Sequence, residues 1–217
     1  MPFTWSYSKI KNSETCPHRY QQVDVLKNFK DTSEQLDWGD TVHKAFAKAI
    51  STRTPLPDAL KDLQPWIGRV TDHPGEILVE QKYAITKDFQ PTEYFGPKVW
   101  YRGIGDVVRI YGPVADITDW KTGKIKTDPV QLMLMAQCVF AFHPEIKRIR
   151  AQFAWIQEDT MTGETFNRRD MAKDWASVLP RVRALEAMHT SGVFPKKPGH
   201  LCKNYCPVKS CEHNGRK

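Results

Sequence analysis

At Glu76 the hydrophobic period of this chain changes from that of a helix to that of a strand, and this restricts its folds more than any other feature. Upstream, Trp38, Val42, Ala45, Phe46 and Ala49 recur at helical spacing, so an amphipathic helix is expected over about 36–51 and another near 57–69. Ser6 can cap a short helix running towards Cys16-Pro17, where the proline favours a break. From Glu76 the side chains alternate. Ile77, Val79, Gln81, Tyr83 and Ile85 are expected on one strand face, and Leu78, Glu80, Lys82 and Ala84 on the other.

Two further strands, at about 98–111 and 113–121, join at the turn dipeptide Gly112-Pro113. Asp128 is expected to cap a helix that has Pro129 at its first position and runs to about Phe142. A strand at about 148–156 follows, with Thr162-Gly163 as the turn into a short fifth strand. A last helix, about 170–191, carries Pro180 as a kink and Gly192 as its stop. This order describes one α/β domain over 1–217: a helical part (1–75), a core (76–191) and a tail (192–217).

The 217 residues suffice for one such core, and 40% hydrophobic with 26% charged residues is ordinary globular usage. An excess of 32 Lys+Arg over 25 Asp+Glu gives +7, a charge suited to a polyanionic partner. No apolar run reaches the ~18 residues of a membrane helix, and no charged-then-apolar leader opens the sequence. The expected location is a reducing cytoplasm, without membrane partners, where structural disulfides are not expected. Cys138, inside an apolar run, reads as a buried helix residue. Cys16, Cys202, Cys206 and Cys211 stand at the two chain ends and need another explanation.

The chemistry is concentrated at Asp106 and at Asp119-Trp-Lys121. Two residues apart on a strand, Asp119 and Lys121 point to the same side. A hairpin return can bring Asp106 beside Asp119, and two adjacent carboxylates form a cradle for Mg²⁺ or Mn²⁺. Such an ion polarises a phosphate and acidifies a bound water, while Lys121 can orient that water and offset charge at phosphorus.

These residues resemble the PD-(D/E)XK nuclease core, and Asp119-Trp-Lys-Thr-Gly-Lys124 is similar to its RecB-like branch. Other motifs follow in that branch's order. Gly39-Asp-Thr-Val-His43 matches its Gly-x-x-x-His helix, Glu80 its strand glutamate, and Gln131 the glutamine of the next helix. Position 135, where that branch usually has tyrosine, is Met. The resemblance implies a restriction-endonuclease-like core with a central mixed sheet flanked by helices. It implies catalytic Asp106, Asp119, Lys121, Glu80 and Gln131, with His43, Asp106 and Asp119 holding Mg²⁺ or Mn²⁺. The implied activity is DNA cleavage, exonucleolytic rather than endonucleolytic, on single strands or ends.

Cys16 could complete a tetrahedral set with Cys202, Cys206 and Cys211, and four thiolates suit either zinc or an iron–sulfur cluster. Nearby His18, His200 and His213 could serve a zinc site or simply lie on the surface. The resemblance selects between the metals, because AddB-type and CRISPR-adaptation nucleases carry one early and three late cysteines around a 4Fe–4S cluster. It implies that the tail packs back on Cys16, and it places the protein in bacterial or phage-infected cytoplasm with recombination, replication or CRISPR-adaptation partners. Trp5, Tyr7, Arg19, Tyr20, Lys196, Lys197, Lys203 and Lys209 are candidate strand contacts or, equally, core and solvated surface. The competing functions are a nuclease-fold DNA-binding subunit without activity and a zinc-containing DNA-binding module. The first would be expected to have lost one of Asp106, Asp119 and Lys121, and the second leaves that trio unexplained.

Overall fold

The computed structural model describes residues 3–30, 33–125 and 128–215. In chain order the elements are α1 (Tyr7–Thr15), α2 (Pro17–Tyr20), a π-turn (Gln21–Val25), α3 (Glu34–Thr52), a 3₁₀ segment (Asp58–Leu63) and α4 (Gln64–Thr71). Then come β1 (Glu76–Ile85), β2 (Tyr101–Tyr111), β3 (Val114–Lys121), α5 (Val130–Phe142), β4 (Arg148–Trp155), β5 (Thr160–Asn167), α6 (Met171–Ser191) and α7 (Leu201–Asn204). They divide into two compact units, Glu34–Trp175 and the two terminal segments Met1–Ser33 with Ala176–Lys217. The division falls inside α6.

The larger unit is a five-stranded sheet in the order β1-β2-β3-β4-β5. Neighbours are antiparallel except β3 and β4, which run parallel across the α5 crossover, so the sheet is mixed. Helix α5 buries every residue from Leu132 to Phe140, as a helix apolar on all sides must, and packs on one sheet face. Its Met135 lies against Gly103 and Gly105 of β2, where a glycine Cβ would meet the thioether at 3.2 Å. The opposite face carries α3 and α4, whose Phe46 and Trp66 meet the Trp120 ring edge-on.

Several details depart from the sequence reading. The turn after β4 is residues 156–159, with Asp159 left-handed, and Thr162-Gly163 lies within β5, paired with Phe153 and Gln152. Gly163 answers a close approach: a Cβ there would fall 2.2 Å from the Ala151 carbonyl. Helix α5 starts one residue later than expected, although Asp128 Oδ1 still accepts the Val130 N–H at 3.3 Å. The alternation of β1 does not persist. Ile77 and Val79 pack on the α3–α4 cluster, whereas Tyr83 meets Phe142 of α5. Between them Glu80 adopts φ 50°, and the left-handed residue changes which face the odd positions occupy.

In the terminal unit Ser6 caps α1, accepting from the Lys9 N–H. Glu14 binds Arg181 through both carboxylate oxygens, and the Tyr20 hydroxyl lies 2.7 Å from His189 Nε2. Gly192, at φ 69°, ends α6 by donating to the Met188 carbonyl. Trp5 and Tyr20 are fully buried here, which removes both as base-stacking surfaces. No helix among the described residues is long and apolar enough to cross a membrane.

Candidate active site

The β2–β3 ladder ends at the pair Val107–Thr118, and beyond it the strands part. The Trp120 N–H, freed from the ladder, donates to Asp106 Oδ2 at 2.8 Å. This bond, which no side-chain pattern encodes, fixes the aspartate between the two strands. Glu80 stands opposite Asp106 at the left-handed position of β1, with regular pairing resumed on either side. Such a conformation costs of order 1–3 kcal/mol in a non-glycine residue and tends to be kept where function requires it.

Helix α3 contributes the third group. Gly39 lets the helix approach the end of β3, since a Cβ there would stand 3.0 Å from Thr122 Oγ1. One turn later, on the same helix face, His43 Nε2 lies 2.9 Å from the Trp120 carbonyl. A carbonyl only accepts, so Nε2 carries a proton, and in the neutral ring Nδ1 offers its lone pair 3.4 Å from Asp106 Oδ2. His43, Glu80 and Asp106 each offer a ligand atom within 4.8 Å of the others, the one such group among the described residues. His43 and Glu80 border an open cavity of about 570 Å³ lined also by Asp40, Lys44 and Thr122.

Asp119 is not in that group. Its carboxylate faces α5, where Gln131 Nε2 donates to Oδ1 at 2.7 Å and Lys121 Nζ lies 2.5 Å from Oδ2. Lys121 in turn donates to Gln131 Oε1 at 3.0 Å, closing a triangle of three side chains. Burial raises the Asp119 pKa and the Asp106 charge adds to it, with Lys121 and His43 opposing. Burial and Asp106 likewise raise Glu80. For His43, burial works against the charged form, but Asp106, Asp119 and the Trp120 carbonyl outweigh it and raise its pKa. These carboxylates crowd one another in a partly dry site, a charge distribution that a cation would relieve.

The sequence profile of the PD-(D/E)XK nuclease superfamily matches residues 4–211. The chain belongs to this superfamily. Its mixed sheet between helices is the PD-(D/E)XK nuclease fold. A crystal structure of a candidate exonuclease from Eubacterium rectale superimposes with a TM-score of 0.57 at 14% identity, over 94% of this chain and 86% of that one. Another structure, SSO0001, gives 0.48 at 12% identity, over 96% and 88%. No curated protein matches by sequence.

The second chemical cluster of this superfamily member lies in its terminal unit. Cys16, Cys202, Cys206 and Cys211 line one cavity of about 360 Å³, together with His18, His200 and His213. The Gly199 N–H points at Cys202 Sγ from 3.4 Å, and Gly215 N–H holds the Cys202 carbonyl. Burial raises the Cys206 pKa, with smaller contributions from Cys202 and Cys16 and an opposing one from Arg19. Cys138 is apart from this set, fully buried in α5 of the other unit.

Proposed function

We propose that this chain is a divalent-metal-dependent deoxyribonuclease. The observation that carries the reading is the group His43–Glu80–Asp106 set beside the Asp119–Lys121–Gln131 triangle. An imidazole nitrogen with a free lone pair and two carboxylates fit Mn²⁺ or Mg²⁺, and Asp119 would complete the carboxylate set. The bound ion would polarise the scissile phosphate and acidify a water. Lys121 orients that water and offsets charge developing on the phosphate oxygens. Gln131 holds Lys121 and Asp119 in register, and the Trp120 carbonyl fixes the His43 tautomer. Action on ends or single strands, as an exonuclease, is the mode the RecB-like motifs imply.

The test is cleavage of end-labelled single- and double-stranded DNA with Mg²⁺, Mn²⁺ or EDTA. Metal-dependent release of short products from ends is expected, and equal cleavage in EDTA would refute the reading. Lys121→Ala is expected to keep Mn²⁺ affinity by calorimetry and lose about 10²–10³-fold in rate. Because imidazole suits Mn²⁺ better than Mg²⁺, His43→Ala should weaken Mn²⁺ more than Mg²⁺. Metal titrations of cleavage check this, and an unchanged ratio would remove His43 from the ligand set.

The terminal cysteines, on the same proposal, hold a 4Fe–4S cluster. What supports this is that Cys16, Cys202, Cys206 and Cys211 line one cavity, and four thiolates around one space suit such a cluster.

A further inference from the structure

We propose that Tyr94 and Phe95, backed by Lys82 and Arg102, form a stacking platform for the bases of a single nucleic-acid strand whose backbone enters the carboxylate site. The proposal takes its substrate class from the nuclease reading, but its binding step is measurable without cleavage.

Placement comes first. Gly103 and Gly105 direct their missing Cβ atoms at Met135 of α5, so Arg102 and Ile104 face the other side of the sheet. Asp106 meets His43 of α3 on that side too. Lys82 pairs directly with Ile104 and therefore shares its face. Following the ladder away from Glu80 and Asp106, the next rungs on this face are Lys82–Ile104 and then Ala84–Arg102. At about 3.3 Å per residue these lie about 7 and 13 Å along the strands, the span of one or two nucleotides. Helix α3 does not cover this part of the face: Ile104 is 41% exposed.

The rings are at the tip of the segment joining β1 to β2. Gly96 N–H donates to the Glu93 carbonyl at 2.9 Å, making Tyr94 and Phe95 the central residues of a four-residue turn with glycine last. Phe95 is 79% exposed, more than any other large apolar side chain among the described residues. The base of the segment is firmly held. Trp100 N–H bonds the Ile85 carbonyl, Pro91 bridges to Ile85, and Phe89 stacks on Trp175 at 4.6 Å. An exposed phenylalanine on an anchored turn is preorganised for contact rather than left by a slack loop.

Its chemistry selects the occupant. The Arg102 guanidinium lies 5.2 Å from the Tyr94 ring centre and 5.8 Å from that of Phe95, and Lys82 Nζ lies 5.7 and 5.9 Å from the same rings. Arg102 Nε is buried with no hydrogen-bond partner among the described residues. Aromatic faces with adjacent cations bind unpaired bases and their phosphates with little sequence preference. A duplex keeps its base faces inside the stack and could use only the cations.

The experiment uses the full chain and a labelled oligothymidylate carrying one 2-aminopurine, in EDTA for binding and with Mn²⁺ for cleavage. In wild type the 2-aminopurine should be quenched on binding. Tyr94→Ala with Phe95→Ala should abolish the quench and raise Kd for the single strand about 10–100-fold. KM should rise similarly while kcat is retained, and blunt-duplex binding should change little. Tyr94→Phe with Phe95→Tyr should restore the quench. Lys82→Ala with Arg102→Ala should reduce the salt slope by about 1–2. Unchanged single-strand binding in the double alanine variant overturns the platform and leaves the nuclease reading intact, as does a loss confined to kcat. Binding with quench but no metal-dependent cleavage by wild type overturns the nuclease reading alone. A wild type that neither binds nor cleaves overturns both.

Discussion

Asp119→Asn is expected to abolish DNA cleavage while leaving the melting temperature unchanged or higher. The carboxylate is buried between the Gln131 amide and the Lys121 ammonium, with Asp106 repelling it, so burial raises its pKa. A carboxyl whose pKa is raised by folding costs stability when ionised, so a neutral amide of the same shape, which still accepts from Gln131 and Lys121, is tolerated there. Folding therefore gives no reason for an acid here, and the proposed metal chemistry does. The expected loss is about 10³-fold or more in rate, the scale of removing one charge-positioning group from a preorganised site. Asp106→Asn should behave alike, because an amide oxygen still accepts the Trp120 N–H. Thermal melts and single-turnover cleavage of the same preparations decide the matter. Wild-type rates in Asp119→Asn would remove Asp119 from the mechanism, and a collapsed melting temperature would make its role structural.

Protein purified without oxygen is expected to be brown and to contain about four irons per chain, with little zinc. Cys16→Ala should lose the iron and destabilise the terminal unit by about 3–5 kcal/mol, because the cluster would close a loop of nearly the whole chain. Limited proteolysis should then cut first within residues 3–30 and 192–215. Cys138→Ala should keep its iron, since that thiol is in the core of α5. A colourless protein with one zinc per chain would retain the staple and overturn the cluster. A protein with no metal at these cysteines would overturn both.

What could be read from the sequence was set by local periodicity. Apolar spacing placed α3 and β1, and cap and turn residues placed α5 and the β2–β3 return, because both kinds of signal depend only on neighbours along the chain. Gly112 at φ 58° and Gly192 at φ 69° stand where turn and stop chemistry put them. The common face of Asp119 and Lys121 follows from strand geometry in the same way.

Where a position is defined by a distant approach, local rules misassign it. Gly163 has the composition of a turn, yet it serves the contact with the Ala151 carbonyl inside a ladder. Glu80 falls within an alternating strand pattern, and its left-handed backbone is invisible in the residue type. That conformation, with the parting of β2 and β3 beyond Val107–Thr118, groups Glu80 with His43 and Asp106 and turns Asp119 towards Lys121 and Gln131. The Tyr94–Phe95 tip was missed because an aromatic pair in a loop has no period, and only the rungs of β1 and β2 relate it to the carboxylates. The sequence by itself determined which elements form and, within an unbroken stretch such as that holding Asp119 and Lys121, which side chains share a face, since those follow from spacing of a few residues. Only the tertiary structure decided which carboxylates converge, because that depends on one strained backbone position, one helix approaching at Gly39, and hydrogen bonds from the main chain of Trp120.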